Sequence, residues 1–385
     1  MKFVIFNNGL MVETGLSGSD RRALEWTKIF LKKGFKVNMY TSVFGRTRYQ
    51  NFGPNLSLTT VGDSKFISQN TFFIYLFRAV RSIFLIRNVG ENDIFYSTSD
   101  LLPDAVPAFF GKLKNKKTKW LTGCHLLATN PFRDYKGNLK KPTLKGIYYF
   151  FSQKVILLLA KNYADLVMVS NNLDRNSLLG KGFKDRQVIV TYGAVEWGLV
   201  NSVKPQKTKY EAAFIGRYHP QKGLDDLLKA WKIVCRKFPK AQMAMIGELE
   251  QLLPKIKELG LGTNIIFFGF IDGVDKVKIL RSSKIFLFPS HYESFGIVAA
   301  EAMALGLPVV AYDLPIYKDI YPEGMIKVPL GNWRSFADEV GELLTNKSKY
   351  KKISVVAIKV AKKFSWEKTA KTIIDNLGVT SDKSK

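Results

Sequence analysis

Residues 285–313 read IFLFPSHYESFGIVAAEAMALGLPVVAYD. The run Ile285-Phe286-Leu287-Phe288-Pro289 is apolar throughout, which predicts a parallel strand buried on both faces. A short polar loop follows. Gly296 then lets the backbone approach a ligand, and Ile297 to Leu305 reads as a helix of small and apolar residues. Gly306-Leu-Pro leads into a second apolar strand, Val309 to Tyr312. This order belongs to a doubly wound α/β sheet, where ligands bind beyond the carboxyl ends of the strands.

Glu293 lies in the loop and Glu301 inside the helix, flanked by Ala299, Ala300, Ala302 and Met303. A carboxylate in such a setting is costly to bury without partners, and a ligand with paired hydroxyl donors would supply them. The helix N-terminus between the two glutamates suits a phosphate. Carboxylate, anion site and second carboxylate together fit the sugar, diphosphate and ribose of a nucleotide-sugar. An ordinary strand–turn–helix with a solvated Glu301 is the alternative, and the apolar surroundings argue against it.

Further out, Gly216-Arg217-Tyr-His-Pro-Gln-Lys222-Gly223 follows a predicted strand and precedes a helix from Leu224. Arg217 offers a planar fork and Lys222 a point charge, and both can converge on a diphosphate as its negative charge develops. Read alone, the same segment is two surface cations at a turn. In the first half, Gly15-Leu-Ser-Gly18-Ser-Asp20 opens a helix predicted over Arg22 to Lys33, and Gly18 is the residue assigned to a ligand oxygen. The spacing is not the dinucleotide fingerprint, which disfavours a dehydrogenase. His125 follows the strand Trp120 to Cys124, placed either to hydrogen-bond a sugar hydroxyl or to serve as a core histidine.

Glu293-Ser-Phe-Gly, Glu301 and Gly306-Leu-Pro-Val-Val resemble the Glu-(seven residues)-Glu signature of glycosyltransferase family 4, a retaining family, and Gly216-Arg217 with Lys222-Gly223 resembles its Gly-Arg-x-x-x-x-Lys-Gly motif. The likeness runs from Met1 to about Leu377 and is strongest from Ala213 to Gly331. It implies the B-type glycosyltransferase fold, two Rossmann-like domains facing a cleft, and a metal-independent, front-face transfer in which the leaving phosphate helps deprotonate the acceptor. It also implies that Glu293 and His125 act at the transferred sugar and that Glu301 holds the ribose diol. Ser294, Phe295, Gly296 and Ile297 would surround the donor, and Phe270 would pack near the nucleobase. No metal ligand set and no cofactor beyond the nucleotide-sugar substrate are expected.

At 385 residues the chain is long enough for two domains, and 46% hydrophobic residues suffice for real cores. Strands are predicted at Phe3–Asn7, Val37–Thr41, Leu56–Val61, Ile94–Ser97, Trp120–Cys124, Leu166–Val169 and Val188–Thr191. They resume at Ala213–Gly216, Gln242–Gly247, Ile265–Gly269, Ile285–Pro289 and Val309–Tyr312. The expected organisation is an acceptor-binding domain over 1–196, a polar linker over 197–210, a nucleotide-sugar domain over 211–364 and a last helix over 365–377 that returns to the first domain. The tail from Gly378 is expected to fray.

The two cysteines are far apart and point to a reducing compartment. Nothing reads as a signal peptide or a spanning helix, so a cytoplasmic or peripheral cytoplasmic-face protein is expected. The net charge of +27 suits an anionic membrane surface better than nucleic acid, for which no motif is visible. Phe72 to Asn88 and Tyr148 to Phe151 are apolar helices with nearby cations, which read as core more often than as membrane contacts. The acceptor is expected to be an envelope glycan or lipid-linked hydroxyl. A sugar-nucleotide epimerase or hydrolase of the same fold is the alternative, and a non-catalytic basic binding protein a weaker one.

Overall fold

The computed structural model describes residues 1–9, 15–62, 70–87, 89–135 and 137–380. They form two compact units, one built from 1–192 and 366–385 and the other from 193–365. In the first, strands β1 (Lys2–Asn7), β2 (Lys36–Ser42), β3 (Leu56–Val61), β4 (Ile94–Ser97), β5 (Lys119–Gly123), β6 (Leu166–Val169) and β7 (Val188–Val190) alternate with helices α1 (Gly18–Lys32), α2 (Val43–Tyr49), α3 (Thr71–Leu85), α4 (Leu102–Lys114), α5 (Leu144–Tyr163) and α6 (Asn172–Gly180). The second begins with α7 (Trp197–Ser202). It continues through β8 (Tyr210–Ile215), α8 (Leu224–Lys237), β9 (Met243–Ile246), α9 (Leu253–Glu258), β10 (Ile265–Phe267), α10 (Gly273–Arg281), β11 (Ser283–Phe288), α11 (Ile297–Ala304), β12 (Val309–Tyr312), α12 (Tyr317–Ile320), β13 (Met325–Val328), α13 (Trp333–Thr345) and α14 (Lys347–Ala361).

Both sheets are parallel throughout. Their orders are β3-β2-β1-β4-β5-β6-β7 and β10-β9-β8-β11-β12-β13. The strand order reverses between β1 and β4 in the first sheet and between β8 and β11 in the second. At such a reversal adjacent crossovers leave to opposite faces and open a crevice at the carboxyl edge. The strands inside each sheet are buried on both faces, as their apolar runs demand, whereas the edge strands β3, β10 and β13 are only partly buried. All twelve predicted strands are present, give or take their end residues. A thirteenth, β13, was not predicted. Its Met-Ile-Lys-Val is short, half-buried and at the sheet edge, so it lacks the long apolar run that marks the others.

Residues 197–210, expected as a linker, begin with α7 and lie wholly within the second unit. Trp197 Nε1 donates to the Phe364 carbonyl at 3.0 Å, and Val195 forms a parallel bridge with Ser365, so this stretch is tied to the end of its own unit. The chain then returns as α15 (Trp366–Leu377) to the first unit and packs on α1. Trp26 Nε1 donates to Thr369 Oγ1 at 2.8 Å, and the Trp26 and Trp366 rings meet edge to face. The last five residues of the tail lie outside the described residues.

The reading of Phe72 to Asn88 as a core helix needs correction. Helix α3 buries Tyr75, Arg78, Ala79 and Ser82 and leaves Phe72, Phe73, Leu76, Val80 and Phe84 exposed. Asn88 falls outside the described residues. No described helix is long and apolar enough to cross a membrane.

Candidate active site

The carboxyl ends of β8 and β11 lie side by side, and each leads into one of the two predicted motifs. After β8, Pro220 to Lys222 form a single 3-10 turn capped by the His219 ring, whose Nδ1 accepts from the Gln221 amide at 3.2 Å. Gly223 closes the turn at φ +63°. An added Cβ there would stand 2.0 Å from the Pro289 carbonyl oxygen, so only glycine lets the turn meet the end of β11 this closely. Two hydrogen bonds join the loops. The Gln221 carbonyl accepts from the His291 amide at 2.8 Å, and Gln221 Nε2 donates to the Tyr292 carbonyl at 2.6 Å.

This stitching delivers Lys222 to Glu293. Their Nζ and Oε1 atoms are 2.6 Å apart, with Glu293 buried and Lys222 half-buried. The Lys222 ammonium also stands 5.8 Å from the centre of the Phe288 ring. Beside the pair, Ser290 Oγ and Tyr317 Oη are buried with no hydrogen-bond partner among the described residues. Burial, and then the negative charge of Glu293, push the Tyr317 phenol well above its ordinary range, so it keeps its proton. The Tyr317 hydroxyl, capable of donating or accepting, therefore lies within electrostatic reach of the motif carboxylate.

Gly296, at φ +87°, is the N-cap of α11, and an added Cβ would press 2.9 Å against the Phe288 ring. The helix thus starts at the carboxyl edge of β11, with its first N–H groups pointing back past the loop. Ser294 and Ile297 flank this start and are partly exposed. The Phe295 side chain is buried in the core against Tyr321 and Phe364, so only its backbone is left to meet a ligand.

Glu301 has a protein partner that the sequence reading missed. Lys276 on α10 donates to both its carboxylate oxygens, at 2.9 and 2.8 Å, and also pairs with Asp272 at 3.0 Å. The cost of burial inferred from the alanine-rich helix is real, but a lysine 25 residues upstream offsets much of it. The signal for Lys276 was present in α10, where it falls on the same helical side as the buried Val277 and Leu280.

Along the same edge, the Gly216 amide donates to the Ile246 carbonyl at 3.0 Å and the Gly247 amide to the Gly269 carbonyl at 2.8 Å. Arg217 and Phe270, the residues after two of these glycines, are exposed at the ends of β8 and β10. His291 is engaged elsewhere. It pairs with Asp226 at 2.9 Å, and Tyr312 donates to the same carboxylate at 2.8 Å. Burial raises Asp226, but these two hydrogen bonds outweigh it and hold the carboxyl below its ordinary range.

The first unit has its own polar group at the carboxyl edge. His125 is buried beyond β5, with Nδ1 3.5 Å from Ser170 Oγ and its carbonyl accepting from that hydroxyl at 3.2 Å. Burial and then the charge of Arg22 keep the imidazole well below its ordinary pKa, hence neutral. Its Nε2 has no partner among the described residues. Arg22 donates to Ser170 Oγ at 3.0 Å and to the Gly18 carbonyl at 3.2 Å, so the predicted Gly18 and His125 are linked through two residues that sequence reading missed. Gly18 is the first residue of α1, whose N-cap Ser17 forms a capping box with Asp20.

At the β1–β4 reversal, Asp104 accepts from the Asn8 amide at 2.6 Å, Ser99 Oγ at 2.6 Å and Thr98 Oγ1 at 3.1 Å. Burial pushes its carboxyl up to about 7. Asp100 accepts from Gln153 and Cys124, and burial raises it to about 6. Among the described residues no group of three or more His, Cys, Asp or Glu is placed to hold a metal ion.

Residues 198–360 match the family model described as "Glycosyl transferases group 1". The phosphatidyl-myo-inositol mannosyltransferase of Mycobacterium leprae is 32% identical over 165 residues, which are 42% of this chain and 44% of that protein. The aligned stretches span about half or less of the length of the curated relatives. Among solved structures, Anabaena HepE in complex with UDP and glucose superposes with a TM-score of 0.75 at 16% identity, over 98% of this chain and 99% of that one. Sucrose-phosphate synthase from Thermosynechococcus elongatus gives 0.72 at 16% identity, over 97% of both chains. At such identities the likeness speaks for the fold alone.

Proposed function

We propose that this chain, whose residues 198–360 match the Glycosyl transferases group 1 model and whose fold is that of the B-type glycosyltransferases, is a retaining glycosyltransferase, moving a sugar from a nucleotide-sugar donor to a hydroxyl of an envelope glycan or lipid-linked acceptor. The observation that carries this reading is the Lys222–Glu293 pair, held at 2.6 Å at the strand-order reversal beside the N-terminus of α11. Glu293 accepts hydrogen bonds from the donor sugar's hydroxyls. Lys222, Arg217 and the first turn of α11 hold the diphosphate and stabilise it as it leaves. Glu301, oriented by Lys276, accepts from the ribose diol. Phe270 lies against the base, with Ser294, Ile297 and the backbone of Phe295 and Gly296 around the donor.

In the first unit His125 offers a neutral Nε2 to a sugar hydroxyl, and the backbone at Gly18 meets a ligand oxygen. Among the described residues assigned to the site none forms a nucleophile–base pair. Transfer on the donor's own face, with the departing phosphate taking the acceptor proton, is the step these groups serve.

The test is release of nucleoside diphosphate from a panel of UDP-, GDP- and ADP-sugars, with EDTA throughout, with and without membrane lipid extract. One donor should support acceptor-dependent release. Glu293→Gln and Lys222→Ala should each lower it on the order of a hundredfold or more, the range for removing one preorganised electrostatic contact. Release of free sugar or an epimer without acceptor would favour an epimerase or hydrolase of the same fold. No turnover of any donor, with no thermal shift by any nucleotide, would sink the enzyme reading.

A further inference from the structure

More than half of the large apolar side chains that the described residues leave in solvent lie on three consecutive helices of the first unit, α3, α4 and α5. At 100° per residue, Phe72, Phe73, Leu76, Val80 and Phe84 fall on one side of α3, with Phe84 77% exposed. The opposite side is buried and includes Arg78, which donates to the Asn8 carbonyl at 2.7 Å, and Ser82, which accepts from Asn8 Nδ2 at 3.1 Å. The helix wears its amphipathicity inside out.

Helix α5 repeats the arrangement. Leu144, Phe151, Val155 and Leu158 share one side, with Leu144 86% exposed, while Gln153, Ile156, Leu157 and Ala160 on the other side are buried. The Phe72 ring meets Tyr148 of α5 edge to face at 5.2 Å, and α4 packs against both helices. A contiguous apolar surface of this extent marks an interaction site.

Charge identifies the occupant. The three helices contain one carboxylate, Asp104, and it is buried. Arg81, Lys114, Lys145 and Lys154 are exposed on them, and Lys154 holds its ammonium 4.4 Å from the centre of the Phe150 ring, next to the exposed Phe151. Nucleic acid would use the cations but leave the apolar stripes in water. A second copy of the chain would bring +27 against +27. An anionic bilayer meets both features, taking rings and aliphatic chains at the headgroup–acyl boundary and cations at the phosphates. We propose that the outer side of α3, α4 and α5 is a face by which this protein sits on an anionic membrane. This deepens the reading of a lipid-linked or envelope acceptor, yet it is measured without any donor.

The experiment is co-sedimentation of the full chain with vesicles of phosphatidylcholine alone or mixed with phosphatidylglycerol, in the absence of nucleotide-sugar. The parent should bind the mixed vesicles and bind the neutral ones weakly. Phe73→Ser/Leu76→Ser/Phe84→Ser should lower the affinity on the order of tenfold or more, and Lys145→Glu/Lys154→Glu by about tenfold. Val355→Ser, at an exposed apolar residue of the second unit, should bind as the parent does. Thermal melting by circular dichroism checks that each variant is folded.

Absence of binding to either vesicle, or a folded triple variant that binds like the parent, overturns the proposal. So does concentration-dependent self-association that the triple variant abolishes, which would assign the face to a second copy. Vesicle binding without donor turnover would overturn the transferase reading alone, and turnover without vesicle binding the membrane face alone.

Discussion

Lys276 shows how a single side chain can set the behaviour of a motif it does not belong to. It reaches Glu301 with two hydrogen bonds and Asp272 with a third contact, so the carboxylate is held in one orientation before any diol arrives. Lys276→Met keeps the length of the side chain and removes the charge. In steady-state kinetics it should raise KM for the donor about tenfold with a smaller change in kcat, the pattern of lost ground-state binding. An unchanged KM would make Lys276 merely structural. At the same scale Asp104 carries a pH signature. In the unfolded chain an aspartate titrates near about 3.9; in the folded protein this one does so at about 7. The folded state therefore binds the extra proton across that interval. The resulting stability is complete below about pH 4 and is lost as pH rises towards 7. Urea unfolding of Asp104→Asn should show a flatter dependence over that window, with a difference of roughly 3 kcal/mol between its ends. Asp100, raised to about 6, acts in the same direction and remains in the variant.

Among the elements, α15 has a role out of proportion to its length. Trp366, Thr369, Ala370, Ile373 and Leu377 are buried, and Trp26 depends on Thr369 to satisfy its indole N–H. Trp366→Ala should cost about 3–5 kcal/mol, the usual range for emptying a buried tryptophan site. The loss should register in the unfolding of the first unit. A probe of the second unit that moved by the same amount would contradict the assignment of α15. The twelve strands and the helix after Gly296 were legible because each is declared locally, by a short apolar run or a glycine and a change of period. The segments that carry Glu293, Glu301 and Lys222 were legible for the same reason. Lys276, Arg22 and Ser170 were not, since each matters through a residue far along the chain. The outward side of α3 was misread because a helix rich in Phe, Leu and Val signals burial, and only the fold shows that Arg78 and Ser82 take the inner side.

For the whole molecule, the grouping of distant segments was expected from the family resemblance and from no local signal in the sequence. The second unit occupies one uninterrupted stretch, 193–365, whereas the first needs both ends of the chain. The order of synthesis follows from this. As the chain leaves the ribosome, seven strands of the first sheet emerge long before α15, and the Trp26 indole, fully buried in the finished protein, waits for Thr369 through the making of the entire second unit. The second unit therefore has all its parts first, although most of the first is encoded ahead of it, and the first closes only once α15 has been made. A nascent protein stalled before residue 366 would carry a complete second unit and an unfinished first one bearing the exposed rings of α3. That is the species a chaperone would meet.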